Sequence, residues 1–310
     1  MHREGDSKLA TRALVLGGGG PVGIAWESGL IMGLAEGGVD LSKADTFIGT
    51  SAGSVVGAQL ALGRTPQEIG EPHLRGNAGG RSAAAASQNA ASQGAQPVLS
   101  PLLELRMRGA DAAQDPNELM RAIGKLSLEA ETITEEQFIA SMGYLIARAE
   151  SWPKGYICTA VDTADGTFVT WNGQEGVALG AAVASSCSVP GVYPAVTING
   201  RRYMDGGMRS GTNADVAKGH DRVLVVAVTI GTTGEGPQAA MAELTRRRLE
   251  SELNTLRESG SQVELVAPDA GCIEAFGVNL MDFSRRGAVA VEGLRQGREL
   301  ASRLTGFWSE

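Results

Sequence analysis

The chain has 310 residues, of which 43% are hydrophobic and 20% charged, a composition typical of a globular protein with a large buried core. Its net charge of −8 argues against a nucleic-acid partner, which needs a basic surface, and against strong electrostatic docking on anionic lipid. The three cysteines are widely spaced and form no C-x-x-C pair, so neither a disulfide framework nor a zinc site is expected. With no apolar run long enough for a signal peptide or a membrane span, the sequence predicts a cytoplasmic protein that is at most peripheral at a membrane.

The first elements alternate between strand and helix. Residues 1–10 are expected to be a disordered lead, and 11–310 a single domain without repeats or linkers. A buried strand at Ala13–Leu16 ends in four glycines and is followed by a helix from Gly23 to Glu36. Ala25, Gly29 and Gly33 lie on one face of that helix, which predicts close packing against a sheet. A second strand at residues 46–48 and a helix ending near residue 62 complete a pattern typical of parallel strands with helical crossovers.

Residues 64–127 are less regular. The stretch from Ser82 to Gln96 is rich in Ala, Ser, Gln and Asn, which favours a solvated loop or a weak helix. The alternative is a lid or loop insertion that covers an active site. Its apolar part would be Leu99, Leu102, Leu103, Leu105 and Met107.

The second half of the chain alternates again. Thr134 is expected to cap a helix that extends to Arg148, with Gln137 completing a capping box, and Asn199-Gly200 predicts a hairpin turn. Asp205 follows the returning strand of that hairpin. The remaining predicted strands are 156–161, 168–171, 201–204, 222–230 and 263–266, and the remaining helices are 177–186, 237–259 and about 283–304.

One motif indicates a nucleophile. Gly49-Thr50-Ser51-Ala52-Gly53 fits the pattern G-x-S-x-G between a predicted strand and a predicted helix. A serine on such a sharp turn exposes its hydroxyl, and side chains in place of Gly49 and Gly53 would collide with neighbouring backbone. The alternative, a turn that merely uses glycine, is the better interpretation of an isolated match, but the strand and helix on either side favour Ser51 as a nucleophile.

The glycines at residues 17–20 are suited to a second part of such a site. Acyl transfer develops negative charge on a carbonyl oxygen, which backbone N–H groups can stabilise, and glycine lets backbone approach a substrate closely. A phosphate loop is excluded by the lack of a lysine after Gly23. A dinucleotide fingerprint can be traced through Gly18, Gly20 and Gly23 with Asp40 as its acidic residue, but the serine turn that follows argues against it.

The base is less clear from the residues alone. A Ser-His-Asp triad needs a histidine at the carboxyl end of a strand. His2 lies in the lead, and His220 precedes a strand, so it is expected at the surface. His73 lies in the irregular region, where a surface residue is the better interpretation and a position in a lid is the alternative. Asp205 could take the serine proton if burial raised its pKa, although a simple turn aspartate is the better interpretation of an isolated Asp-Gly.

The order of these motifs resembles the patatin-like phospholipase family. A glycine-rich loop at residues 17–23 is followed by G-T-S-A-G at 49–53, by Ala184-Ser185-…-Pro190-Gly191-…-Pro194, and by Asp205-Gly206-Gly207. The resemblance covers residues 11 to about 230. It departs from the family pattern where Val22 replaces the usual basic residue of the loop, and where residues 208–213 replace the usual Asn and Pro after D-G-G.

The resemblance implies a three-layer α/β/α fold with a mainly parallel central sheet, and a serine acyl hydrolase that cleaves carboxylic esters of lipids. No metal or cofactor is implied. Ser51 would be the nucleophile and Asp205 the general base, with the oxyanion held by the N–H groups of Gly18, Gly19 and Gly20. The motif glycines that support these roles would be Gly17, Gly23, Gly49, Gly53, Gly206 and Gly207.

Two other functions compete with hydrolysis. An acyltransferase would pass the acyl group to an acceptor other than water, but acyl-carrier transferases pair their serine with a histidine, and well-placed histidines are scarce in this chain. A lipid-binding module with weak or no catalysis would keep the fold, but the intact Ser51 and Asp205 argue against it. The lipid class, the acyl chain length and the oligomeric state do not follow from the sequence.

Overall fold

The computed structural model describes residues 10–75, 101–102, 104–106, 116–146, 149–174, 176–228 and 237–309. A mixed sheet of eight strands runs through these residues in the order β5-β6-β3-β2-β1-β7-β8, with β4 paired to β3. Strands β1, β2, β3, β7 and β8 are parallel, and β4, β5 and β6 pair antiparallel, so the expected mainly parallel sheet is confirmed. The strands are β1 Arg12–Leu16, β2 Thr46–Gly49, β3 Tyr156–Asp162, β4 Phe168–Trp171, β5 Val196–Ile198, β6 Arg201–Asp205, β7 Arg222–Val226 and β8 Gln262–Val266.

Nine α-helices have both ends in the described part of the chain, and residues 101–102 and 104–106 are also helical. The nine are α1 Gly20–Glu36, α2 Ala52–Ala61, α3 Pro66–Leu74, α4 Pro116–Glu129, α5 Glu135–Leu145, α6 Leu179–Ser186, α7 Pro237–Glu258, α8 Ala270–Phe276 and α9 Arg286–Ser309. None of the described helices is both long enough and apolar enough to cross a lipid bilayer.

The alternation of side chains along β1 explains the three layers. Leu14 and Leu16 point to one face, where they share a core with Val22 and Trp26 of α1. Residues 13 and 15 point to the other face, where they share a second core with Leu249 and its neighbours on α7. Because both faces are covered, the central strands are apolar throughout, which is the sequence signature of a buried parallel strand.

The close packing predicted for the small residues of α1 is real, but the partner is a helix rather than the sheet. A Cβ atom on Gly29 or Gly33 would collide with backbone of α9, at Ala290 and Leu294 respectively. Gly293 and Gly297 of α9 meet α1 in the same way. We call these four glycines the glycine seam. The prediction was wrong because spacing along a helix identifies a close-packing face without identifying what packs on it.

The region of residues 64–127 contains two helices that its composition did not suggest. Thr65 caps α3 through a capping box with Glu68, a signal that is present in the sequence. Helix α4 follows from residue 116. The segment Ser82–Gln96, Leu99, Leu103 and Met107 lie outside the described residues. Leu102 is buried in a small core beside β3 and β6, and Leu105 packs against it.

Most other predicted boundaries agree to within a few residues. The capping box of Thr134 and Gln137 and the hairpin turn at Asn199-Gly200 are confirmed. The strand expected over 222–230 ends at Val226. The last helix starts at Arg286 after a short 3₁₀ turn, and it extends to Ser309 because Leu304 and Trp308 are buried against the core. Helix α8 was not predicted.

Candidate active site

Ser51 lies on the turn between β2 and α2 with φ 51° and ψ −116°. Positive φ is costly for a residue with a Cβ, and such strain persists only where the surroundings hold it in place. The two motif glycines supply that close packing. A Cβ on Gly49 would collide with Ser54, and a Cβ on Gly53 would collide with the carbonyl of Leu16. As predicted, a side chain at residue 49 or 53 would collide with neighbouring backbone.

Asp205 is the last residue of β6, and the pairing of β3 brings it towards Ser51. Gly49 pairs with Cys158 of β3, and Asp205 pairs with Ala160 of the same strand. Those two positions on β3 are two residues apart, which is about 7 Å along a strand. Ser51 and Asp205, which are more than 150 positions apart in the sequence, thus lie close together at the ends of their strands.

The Asp205 side chain is 2% exposed, and the N–H of Gly207 donates to its Oδ1 at 2.7 Å. Burial raises the pKa of this carboxyl to about 6, because an ionised carboxylate loses hydration energy inside the protein. Hydrogen bonding from Gly207 and from the Ser51 hydroxyl opposes that shift, as does the positive charge of Arg106. The carboxyl is thus a proton acceptor near neutral pH, held against the serine hydroxyl.

Arg106 is a charged residue of this site that sequence reasoning missed. Its Nη2 donates to the carbonyl of Gly207 at 2.8 Å, in the turn that holds Asp205. Burial lowers the pKa of its guanidinium, and the charge of Asp205 opposes that shift. Arg106 lies in the region interpreted as irregular, within no recognisable motif. Only its contacts with the D-G-G turn distinguish it from the other arginines.

The glycine-rich loop lies directly against the serine turn. The N–H of Gly53 donates to the carbonyl of Gly17 at 2.9 Å, which fixes the loop to the start of α2. The N–H of Gly18 donates to the carbonyl of Gly211 at 2.7 Å, so this predicted oxyanion donor is occupied. Among the described residues no acceptor is found for the N–H groups of Gly19 and Gly20. Of the three predicted oxyanion donors, the N–H groups of Gly19 and Gly20 are therefore the two that could bind a substrate oxygen.

The segment at residues 184–194 contacts both candidate catalytic residues. Ser186 Oγ accepts from the N–H of Ser51 at 3.0 Å, and the Cys187 thiol donates to the carbonyl of Ser51 at 3.2 Å. The N–H of Asp205 donates to the carbonyl of Ser188 at 2.9 Å. Burial raises the pKa of the Cys187 thiol, so this cysteine stays protonated and adds no negative charge beside Asp205.

An apolar pocket opens beside Ser51. Its walls come from the start of α1, from α5, from the segment around Val189 and from the loop that precedes α9. The side chains that give it its apolar character include Ile24, Met142, Leu145, Val189, Tyr193 and Met281. Such a pocket accommodates a hydrocarbon group and excludes water from its inner surface.

The two described histidines lie away from this arrangement. His220 precedes β7, at the opposite end of the strands, where its ring nitrogens contact the Ala217 carbonyl and the Thr46 hydroxyl at 2.9 Å each. His73 lies on α3, and burial together with the charge of Arg286 lowers its pKa to about 4. Neither lines the pocket beside Ser51. No cluster of side chains suited to a metal ion is found in the described part of the chain.

The fold has three layers, and its serine lies on a strained turn between a strand and a helix. These two features place the chain among the α/β proteins whose nucleophile lies on such a turn, the nucleophile elbow. Within that class, the chain belongs to the patatin-like phospholipase family, whose profile matches residues 14–218. The matched segment contains every motif on which the resemblance was based. Membership of this family supports lipid hydrolase activity.

Similar solved structures include VipD from Legionella pneumophila, which is 12% identical over 96% of this chain and 67% of that chain, with a TM-score of 0.45. ExoU in its complex with SpcU, from the type III secretion system of Pseudomonas aeruginosa, is 18% identical over 94% of this chain and 53% of that chain, with a TM-score of 0.35. The chain therefore spans about half the length of the ExoU chain that it matches. A comparison with curated proteins found no match.

Proposed function

We propose that the protein is a serine acyl hydrolase that cleaves carboxylic ester bonds of lipids, with Ser51 as nucleophile and Asp205 as general base. The observation that carries this proposal is the strained Ser51, whose hydroxyl meets a buried carboxyl at the edge of an apolar pocket. A strained serine without a base beside it, or a buried aspartate without a nucleophile, would support it much less.

In the first half-reaction the Asp205 carboxylate takes the hydroxyl proton while Ser51 Oγ attacks the ester carbonyl. The tetrahedral intermediate collapses with cleavage of the ester C–O bond. Asp205 returns the proton to the departing alkoxide, which leaves as an alcohol, and the acyl group stays on Ser51. In the second half-reaction Asp205 takes a proton from water, the resulting hydroxide attacks the acyl-enzyme, and the proton returns to Ser51 as the carboxylic acid leaves.

The negative charge of both tetrahedral intermediates would be held by the N–H groups of Gly19 and Gly20. The N–H of Ala52, the residue after the nucleophile, is a further donor by analogy with other serine elbows. Gly18 keeps its contact with Gly211 and supports the loop instead. The positive end of α2 also favours negative charge at its start. The acyl chain would occupy the apolar pocket, whose walls match a hydrocarbon chain in polarity.

The experiment compares wild type with Ser51→Ala and Asp205→Asn in the hydrolysis of p-nitrophenyl esters and of phospholipid vesicles. We expect each variant to lose more than about 99% of kcat, because each lacks a group that takes part in every bond-making step. A fluorophosphonate probe, which reacts only with an activated serine, should label wild type and leave Ser51→Ala unlabelled. Wild-type rates in Ser51→Ala would disprove the mechanism, and an unlabelled, inactive wild type would favour a lipid-binding module.

A further inference from the structure

The segment that follows Asp205 turns back under the site and ends at Asn213, whose side chain is completely buried. Asn213 adopts a left-handed backbone conformation, with φ 51° and ψ 39°. Asparagine tolerates this conformation better than most residues, and its side chain here makes five polar contacts. A residue kept in this conformation at full burial is held by its neighbours.

The contacts of Asn213 fix which way its amide group points. Arg209 Nη1 donates to the amide oxygen at 2.9 Å, and a guanidinium can only donate. The amide nitrogen then faces the carbonyl oxygens of Ser210 at 2.9 Å and Gly206 at 3.2 Å, which can only accept. Arg209 is itself held by an ion pair with Asp215. The orientation of the amide is therefore determined by its surroundings on both sides.

The same amide nitrogen connects the two candidate catalytic turns. It lies 3.1 Å from Thr50 Oγ1, next to the nucleophile, and its contact with the Gly206 carbonyl reaches the residue after the base. Thr50 Oγ1 also pairs with Thr159 Oγ1 of β3 at 2.8 Å. One planar group thus joins the residue after Asp205 to the residue before Ser51.

The network is anchored to the opposite layer of the fold. Glu252 of α7, which is 3% exposed, accepts from the Thr212 hydroxyl at 2.7 Å and from the N–H of Ala214 at 2.9 Å. These contacts hold the residues on either side of Asn213. The position of the amide is therefore set by a helix on the opposite side of the sheet, through the two residues that flank Asn213.

We propose that Asn213 is a positioning residue, which holds the turns of Ser51 and Asp205 at the separation that proton transfer requires. This inference rests on the proposed roles of Ser51 and Asp205. Ser51 sits in a strained conformation that its surroundings must maintain, and small errors in the placement of reacting groups are costly. A displacement of about 1 Å can reduce a rate about 100-fold.

The test uses Asn213→Gly and the matched control Asn199→Gly. Asn199 has the same φ of 51° but is exposed at the hairpin turn between β5 and β6. Glycine accepts positive φ without strain, so both substitutions remove an asparagine side chain from the same backbone conformation. We expect Asn213→Gly to lower kcat and the rate of fluorophosphonate labelling at least about tenfold, with KM within about threefold of wild type. Asn199→Gly should match wild type in all three.

A second variant keeps the test decisive if Asn213→Gly does not fold. Thr50→Val is close to isosteric and removes the acceptor on the nucleophile side of the network. It should lower kcat in the same way, and the double variant should lose no more than the worse single variant, because both changes break one connection. A general loss of packing would instead lower the folded fraction and leave the kcat of the labelled fraction unchanged.

The outcomes separate this inference from the proposed function. Active wild type together with Asn213→Gly and Thr50→Val variants within twofold of Asn199→Gly in kcat would overturn the positioning role and leave the hydrolase proposal intact. Wild type that neither hydrolyses esters nor reacts with the probe would remove the proposed function, and the positioning role with it.

Discussion

Glycine has opposite purposes in two regions of this molecule. In the loop at residues 17–20, two backbone N–H groups, those of Gly19 and Gly20, have no acceptor among the described residues. In the glycine seam it lets α1 and α9 approach until their backbones touch. We therefore expect substitutions in the loop to affect the proposed chemistry and substitutions in the seam to affect stability, although the two regions share helix α1. What a glycine contributes therefore depends on which atoms lie opposite it in the fold.

The largest expected effect comes from a methyl group added to the loop. A Cβ on Gly18 would lie 3.2 Å from Ser51 Cβ and 3.7 Å from the Gly211 carbonyl, so the fold can accept it with a small shift that falls on the nucleophile. We expect Gly18→Ala to lower kcat about 10- to 100-fold, because the shift displaces Ser51. The thermal midpoint should change little. Calorimetry and ester hydrolysis on the same sample measure both, and a large loss of stability with unchanged kcat would reverse the assignment of the loop.

The seam should respond in the opposite way. A Cβ on Gly33 would collide with the Leu294 carbonyl, so the two helices must separate. We expect Gly33→Ala to lower the free energy of unfolding by about 1–3 kcal/mol, measured by denaturant titration, with kcat of the folded fraction unchanged. Gly306→Ala is the control on α9, since nothing lies within 4 Å of its Cβ, and it should be neutral or slightly stabilising. A loss of kcat in folded Gly33→Ala would show that the seam also shapes the site.

The pH dependence of kcat/KM tests the role proposed for Asp205. Burial raises the pKa of Asp205 to about 6, and only the ionised form can take the serine proton. We therefore expect kcat/KM to be constant above this pH and to fall about tenfold per pH unit below it. The charge of Arg106 lowers this pKa, so Arg106→Gln should move the midpoint upward, whereas Arg106→Lys should leave it nearly unchanged. If the pH midpoint of kcat/KM were the same in wild type and in Arg106→Gln, the assignment of Asp205 as the base would be contradicted.

The smallest expected effect concerns stability, at a residue of α1 between the loop and the seam. Glu27 is fully buried, and burial raises its pKa well above the usual range, against the opposing effect of the Gly17 backbone N–H. The folded protein keeps a proton that the unfolded chain releases above about pH 4.5, so stability should fall with rising pH by at most about 1.4 kcal/mol per unit.

The pKa values of Asp205, about 6, and of His73, about 4, also differ from those of the unfolded chain, so both residues contribute to the slope near pH 6. The contribution of Glu27 is therefore the difference in slope between wild type and Glu27→Gln. Denaturant unfolding between about pH 6 and about pH 8 should therefore show a free energy of unfolding that falls more steeply with pH in wild type and in the exposed control Glu250→Gln than in Glu27→Gln. An equal slope in all three proteins would mean that Glu27 is ionised in the folded state.

Much of the fold could be predicted because its signals are local. Apolar runs bounded by glycine identified most strands, and the capping box of Thr134 and the hairpin turn at Asn199-Gly200 were correctly interpreted. Helix α3 carried an equally local signal in Thr65 and Glu68, which the polar composition of the surrounding region obscured. The proposed nucleophile and loop glycines were indicated by their local context, whereas the proposed base came from motif order, since the residues alone left Asp205 as a turn aspartate.

The sequence by itself determined the alternation of strands and helices, the strained serine turn and the need for glycine on either side of it, because these depend on sterics within a few residues. Only the tertiary structure decided that α1 packs against α9 through its glycines, that Gly18 donates to Gly211, and that Arg106 and Asn213 lie at the site. Each of these contacts joins positions that are far apart in the chain. No short-range pattern records such a contact, because its partners become neighbours only when the sheet and its two helical layers assemble.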